Sequence, residues 1–371
     1  MNPTHFNVCD FGAKADGATD DTAAIQKALD AAGKVQGVVA FGPGVYCCGE
    51  LRLPSHVMLL GAATWSYRDF GGSILRLNDP KARCLLYVGG AAGVRLDGLS
   101  VDGAQLGENV HGLMTCKDDQ PRQEHNLIIQ RCRVGGFTGD GLRLDEVWCF
   151  QVFDSMLCFN QGCGIRVRGW DAELSGCQLS GNGLAGYGVF EHSASVTMTG
   201  NRVEWNGKVS AGGGNLVLHN VHNYNLCNNY LDRAFGPAIT LMPGQADAEA
   251  SPGAINVAIT GNMIHRSGNP LVRELDEYES CHVRCKRVRG LSFTGNTLSA
   301  GRGDGDTQGW SPQYAMVLED LDNCVIQGNA MHNAALTELV HDLGGHGPNV
   351  VIQSNPGSVF VNDGREIWDA V

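Results

Sequence analysis

The chain has 371 residues and a formal charge of −12 at neutral pH, a balance that argues against nucleic acid and against a strongly polyanionic substrate. Its 51 glycines and only 18 % charged residues suit short strands joined by tight turns and exclude a mostly helical protein, which would carry more Leu, Glu and Lys. No run reaches transmembrane length, and the start MNPTHFNVCDFG lacks the basic and apolar regions of a signal peptide, so a cytoplasmic protein without membrane contact and with reduced thiols is expected.

In chain order, Phe6 to Phe11 reads as a strand. GAKADGATDD then turns into a helix whose apolar face is Ile25, Ala28, Leu29 and Ala32, with Asp20 or Asp21 as N-cap. The strand-and-turn phrase VVAFGPGVYCCGELRLPSHVMLLGA follows.

From there a repeat takes over. Asn201, Asn229, Asn262, Asn296, Asn329 and Asn355 each close a short apolar run, as in VTMTGN, VAITGN, LSFTGN and CVIQGN. Two residues later come Val203, Leu231, Ile264, Leu298 and Met331. Upstream, Cys132, Ser155 and Cys177 hold the asparagine position, followed by Val134, Leu157 and Leu179. A spacing of 22 to 34 residues with a short strand on each side of a polar turn fits a solenoid, because each coil can bury its apolar edge only against its neighbours. The fold expected is all-β: a single-stranded right-handed parallel β-helix with an N-terminal capping helix. One domain should run over 1–371, with strand and cap in 1–37, coils over 38–361 and a C-terminal cap over 362–371. The helix would cover the unpaired edge of the first coil.

The opening NVCDFGAKADGATDDTAAIQKALDAA, the phrase FGPGVYCCGELRLPSHVMLLGA and, more loosely, the coils to about Asn355 resemble the pectate-lyase-like superfamily of β-helix proteins, which includes glycoside hydrolase family 28. The resemblance is specific for fold and weak for chemistry, since it implies hydrolases, lyases, epimerases, fructan transferases or phage tailspikes. Of the polygalacturonase pattern, TGDGLRLDEV supplies only Asp140 in a similar turn before a strand. The following coils, QGCGIRV and LAGYGVF, lack the second acid pair and the Gly-His-Gly.

A second strand follows the asparagine turn in each coil: GLRLDEV, GIRVRGW, GVFEHS, NLVLHNV and AITLMPG. Alternation sends Leu142, Ile165, Val189, Leu216 and Ile239 inward and Arg143, Arg166, Phe190, Val217 and Thr240 outward. The next inward column reads Leu144, Val167, Glu191, Leu218 and Leu241, which Glu191 breaks. Insertions at Gly207 to Gly213, Pro243 to Ala254, Glu274 to Arg289 and Gly301 to Gln313 are expected to wall a groove. In them ELDEYE and GRGDGD read as solvated loops, with calcium binding by Asp304 and Asp306 as the alternative. Cys281 and Cys285 lack a second pair at zinc spacing and read as structural; no metal and no cofactor is expected.

Three residues beyond the asparagine position stand Gly135, Cys158, Ser180, Glu204, Asp232, His265, Ser299 and His332. Adjacent coils lie about 4.8 Å apart, so Glu204 and Asp232 form a carboxylate pair with His265 one rung beyond. Two like charges that close drive their pKa values apart, as an acid and a nucleophile or base require. Trp205 beside them offers a face for a sugar ring. Alternatively Arg202, Arg233 and Arg266 neutralise the acids in a surface ion-pair ladder. Glu191 is a second catalytic candidate if it points into the apolar column, and an ordinary surface acid if a bulge turns it out. His192 and His219, expected in one outward column with Asp145 and Arg168, could bind sugar hydroxyls or form a solvated face.

These readings converge on a carbohydrate-active enzyme, a glycoside hydrolase or intramolecular glycosyl transferase acting on an oligosaccharide. Glu204, Asp232 and Glu191 are its catalytic candidates, and Trp205, His192, His219, Arg233, His265 and Asp140 would bind substrate. A uronate lyase or epimerase is the alternative enzyme, and a non-catalytic carbohydrate-binding β-helix the alternative outside catalysis. The outward Phe190, Val217 and Met242 are apolar enough to suggest a homotrimer.

Overall fold

The computed structural model describes residues 4–116, 124–209, 211–244, 251–269, 278–302 and 309–360. Apart from one α-helix and one turn of 3₁₀-helix, the regular structure is β. The chain divides into two compact units, Met1–Asn182 and Gly183–Val371.

In the first unit the expected opening strand is short, His5–Asn7, and Val8–Phe11 is a 3₁₀ turn. The helix, α1, spans Thr22–Gly33 and buries Ile25, Ala28, Leu29 and Ala32 as its periodicity requires. Its start is shared between the two candidate acids. Asp20 accepts from the Thr22 amide and hydroxyl, whereas Asp21 turns back to accept from the amides of Lys14 and Ala15 at 2.7 and 3.0 Å.

Within each unit, successive coils among the described residues pair through parallel strands. In the first unit one ladder runs through Ser73–Leu77, Ser100–Asp102, Arg133–Gly135, Met156–Cys158 and Gln178–Ser180. In the second it runs through Arg202–Glu204, Tyr230–Asp232, Met263–His265, Thr297–Ser299 and Ala330–His332. Val203, Leu231, Ile264, Leu298 and Met331 lie opposite one another in this register, and all are buried. Stacked apolar rungs of this kind are the core of the unit.

The asparagines form the corner before this ladder. Asn262 is typical: its amide NH₂ donates to the Leu226 carbonyl at 2.9 Å and to Asn296 Oδ1 at 3.0 Å, while its own Oδ1 accepts from Asn229. The same bonds link Asn201 to Asn229, Asn296 to Asn329 and Asn329 to Asn355. The residue before each asparagine turns left-handed, with φ between 53° and 68° for Gly200, Asn228, Gly261, Gly295, Gly328 and Ser354. Glycine adopts that conformation at no steric cost, which is why it fills four of the six places.

Two expectations are corrected. Glu274 to Arg289 is not wholly an insertion, because Cys281–Thr294 is a 14-residue strand paired on both sides. Cys281 and Cys285 lie four residues apart along it, about 13 Å at strand rise, too far to share a metal. The expected register also slips in one coil. Tyr187, not Val189, stands opposite Leu216, and Val189 opposes Leu218. The inward Tyr187 hydroxyl meets that of Tyr224 at 3.2 Å, and Tyr224 donates to Ser193 at 2.8 Å. The strand ends at Val189, so Glu191 lies beyond it and is exposed. Asp304, Asp306, most of ELDEYE and the 362–371 cap lie outside the described residues.

Candidate active site

The row read from the repeat exists: Glu204 opposes Asp232, Asp232 opposes His265, and His265 opposes Ser299. It is not the open outward row expected. Glu204 is 4 % exposed and Asp232 is 0 % exposed. The cause is the next residue in each coil. Trp205, Arg233 and Arg266 all adopt left-handed φ, between 45° and 60°, and this kink swings their side chains back over the strand end.

Both oxygens of Asp232 are consequently taken. Arg266 grips them as a fork, Nε to Oδ1 at 3.0 Å and Nη2 to Oδ2 at 2.7 Å, and Arg233 Nη1 also bonds Oδ2. Glu204 pairs with the half-exposed Arg202 at 2.9 Å. Charge-assisted pairing of this kind holds a carboxylate in one place. A nucleophile must present an oxygen to the substrate, and Asp232, fully buried with both oxygens held by guanidinium groups, presents neither. Among the described residues, three guanidinium groups, those of Arg202, Arg233 and Arg266, gather at this carboxylate pair.

His265 is the group poised to move a proton. Its Nδ1 lies 2.9 Å from the Ser299 carbonyl oxygen and 2.7 Å from the Ser299 hydroxyl. A carbonyl can only accept, so the proton sits on Nδ1 and Nε2 carries the lone pair. Burial, then the neighbouring Arg266, push the imidazole pKa below its ordinary value, leaving it neutral near pH 7 and able to accept a proton.

An aromatic cluster stands beside this row. The Trp205 and Trp310 rings meet edge to face at 5.1 Å, Phe235 packs on Trp310 at 5.0 Å, and the Arg233 guanidinium lies 4.8 Å from the Trp205 ring centre. Trp205 is part-buried, so it is neither a free platform nor a core residue. Trp310 went unnoticed in the sequence because it follows the coil's insertion and sits at no repeat position.

The remaining candidates lie elsewhere. His219 is buried opposite Met242, and burial lowers its pKa to about 4. His192 packs its ring against His222 at 5.1 Å and contacts the Asn220 carbonyl. The two histidines do not share a column and do not make a solvated face. Asp140 is a buried turn former: Oδ1 accepts from the Cys163 amide at 2.8 Å, and its own amide donates to His111 Nδ1 at 2.9 Å. Val217, expected outward and exposed, is fully buried, so the apolar flank invoked for a trimer is not continuous. Sequence reading also passed over Trp148 and Trp170, paired across two coils and stacked at 4.0 Å; their equal offset in consecutive repeats was the available signal. Among the described residues no three His, Cys, Asp or Glu side chains converge as a metal site.

Residues 5–68 match the family described as rhamnogalacturonase A/epimerase, pectate lyase-like. Alginate lyase 7 of Azotobacter vinelandii is 41 % identical over 83 residues, covering 20 % of this chain and 9 % of the relative. A capsule K30/K69-specific depolymerase of Klebsiella phage K5-2 is 27 % identical over 190 residues, covering 48 % of this chain and 23 % of the relative. The chain thus spans less than a quarter of the length of either. Among solved structures, the A-module of the mannuronan C-5 epimerase AlgE6 from Azotobacter vinelandii superposes with a TM-score of 0.65 at 17 % identity, over 95 % of this chain and 99 % of that one. The fold is that of the pectate-lyase-like β-helix superfamily. The enzymes so matched, a lyase, a depolymerase and an epimerase, act on polysaccharides.

Proposed function

We propose that this protein is a polysaccharide-modifying enzyme acting on a uronate-containing glycan, by abstraction of the proton α to the sugar carboxylate. The finer architecture belongs to the same reading: a single-stranded, right-handed β-helix with α1 over its first coil. The observation that carries the chemistry is the row itself, where a neutral His265 with its lone pair on Nε2 sits beside the guanidinium groups that hold Asp232.

Positive charge at the uronate carboxylate stabilises the enediolate that forms when C5 loses its proton, which is the main barrier to this reaction. His265 Nε2 takes the proton, and the electron pair of the C5–H bond passes to the carboxylate. In elimination that pair returns to form C4=C5, the C4–O4 bond breaks, and the departing oxygen takes up a proton. In epimerisation C5 is reprotonated from the opposite face. Glycoside hydrolysis through Glu204 and Asp232 is the weaker reading because each carboxylate is already held by arginine. Support from the relatives is consistent in kind, since an alginate lyase and a mannuronan epimerase share sequence or fold with the chain.

The test is incubation with polymannuronate, polygalacturonate and a neutral glycan, read by absorbance near 230 nm for the unsaturated product and by NMR for C5 inversion. His265→Gln should lower kcat on the uronate polymer at least about a hundredfold with the fold intact. Hydrolysis of the neutral glycan, undiminished in His265→Gln, would overturn the proposal.

A further inference from the structure

The first unit holds an arginine for which the described residues supply no counter-charge. Arg133 opens a strand of the first-unit ladder, opposite Ser100 and Met156, and is 1 % exposed. A guanidinium stays protonated at any pH the fold survives. Yet among the described residues no carboxylate lies within salt-bridge distance, and its Nε and Nη1 make no hydrogen bond. Nη2 has one long contact, 3.4 Å to the Tyr67 carbonyl, and the group's face lies 3.7 Å from the Phe70 ring centre. One weak hydrogen bond and one cation–π contact do not offset the desolvation of a full charge.

What covers Arg133 is a small hairpin rather than the core. Thr64–Trp65 pairs antiparallel with Phe70–Gly71 through two residue pairs only. Its exposed tip bears Tyr67, whose hydroxyl bonds Ser180 and whose ring meets Phe159 edge to face at 5.4 Å. The arginine therefore lies one layer below the surface, under a hairpin anchored by the Tyr67 contacts and by the Ser100 hydroxyl, which donates to the Gly71 carbonyl at 3.1 Å.

We propose that Arg133 is a recognition site for a uronate carboxylate of a glycan, reached by displacement of the 64–71 hairpin. A carboxylate presents two oxygens to an edge of the guanidinium and carries the single negative charge that one uncompensated cation requires. Gripping the edge made by Nε and Nη2, it would replace the long Tyr67 contact and satisfy the idle Nε–H, while the Tyr67 and Ser180 hydroxyls, freed from one another, are placed to bond the sugar. The choice of a sugar acid rests on the uronate reading above; the charge argument does not.

The experiment is thermal melting of the full chain with trigalacturonate, its methyl ester and acetate at equal concentration. Trigalacturonate should raise the midpoint of the wild type by at least about 2 °C at saturation, and the ester and acetate should not. Arg133→Met keeps the volume and removes the charge, so it should melt at or above the wild-type temperature without ligand and lose the shift. Arg133→Lys, which keeps charge but not the fork, should fold and bind at least about tenfold more weakly. A shift that survives in Arg133→Met would place the carboxylate elsewhere and overturn the proposal. So would a full shift with acetate, or a ligand-free Arg133→Met that melts well below the wild type. If no uronate polymer is ever turned over but the Arg133-dependent shift stands, the reaction proposed for His265 fails and this site does not.

Discussion

The two units build the same corner from different chemistry. In the second, the position before each ladder strand is an asparagine that bonds the coil before and the coil after. In the first it is Cys132, Ser155 or Cys177, whose side chains reach carbonyls two residues back: Cys132 to Gln130 at 3.2 Å, Ser155 to Phe153 at 2.6 Å, Cys177 to Ser175 at 3.5 Å. They also tie coils, the Cys132 amide donating to the Ser155 hydroxyl at 3.1 Å and the Cys177 thiol to the Val152 carbonyl at 3.2 Å. Three residues on, the first unit sets Asp102, Gly135, Cys158 and Ser180, and the second sets Glu204, Asp232, His265 and Ser299. A backbone repeat thus fixes where a side chain stands without fixing what it does. Amide ladders tie neighbouring coils together in both units, but the first unit carries its pair, Asn160 and Asn182, at another corner, so only the second has them before this ladder strand.

The largest expected effect breaks that cluster. Asp232→Ala removes the buried carboxylate that Arg233 and Arg266 share and should cost about 3–5 kcal/mol in urea denaturation. Ser180→Ala, the equivalent place in the first unit, removes one hydrogen bond with Tyr67 and should cost about 1 kcal/mol. Similar losses at the two positions would mean that the buried charge is not what distinguishes them.

The corner itself comes next. Asn262→Ala orphans the Leu226 carbonyl, the Asn229 amide and one side of Asn296, and should cost roughly 3 kcal/mol. Cys177→Ala loses a weak thiol contact and a small buried volume, at about 1 kcal/mol. Chemical denaturation of the two variants, side by side, measures how much of the second unit's stability its ladder supplies.

These corners show what was legible in the sequence. The asparagine period and the apolar residue two places later gave the strands and their register, because both repeat coil after coil and both are demanded by stacking. The slip at Glu191 was not legible, since Tyr187 and Val189 are equally fit to point inward and only the partner Tyr224 decides between them. Nor was the enclosure of Glu204 and Asp232. Alternation says that a side chain leaves the core, and it cannot say that a left-handed arginine at the next position will fold over it. The net charge of −12 averages over a surface, and it could not show that Arg202, Arg233 and Arg266 gather at one row.

Acid should separate the wild type from a variant lacking one buried histidine. His219 and His282 are buried, and burial lowers their pKa values to about 4 and about 3. An unfolded histidine takes a proton near its ordinary 6.5, so between 6.5 and the folded value the unfolded state binds more protons and stability falls as pH falls. Each should contribute about 1.4 kcal/mol per pH unit across that window, ending near pH 4 for His219 and near pH 3 for His282. His282→Leu should flatten the slope of stability against pH by one histidine's share. An unchanged slope would show that the imidazole is not held neutral in the fold.

The smallest effect sharpens the contrast without touching stability. Burial pushes the thiols of Cys132 and Cys177 up to about 12 and that of Cys158 to about 11, so at pH 8 each is an inaccessible thiol rather than a thiolate. Cys9 is exposed, and a disulfide reagent should therefore label it fast, with the part-buried Cys116, Cys149 and Cys227 following slowly. Cys9→Ser should remove the fast phase. Cys132 and Cys177 should react only as the first unit opens, which makes their labelling in rising urea a local gauge of that unit's corner. If they label before the global transition, the thiol-built corner opens on its own and the asparagine ladder is the reason its counterpart does not; if they label in the fast phase of the native protein, the corner is not closed at all.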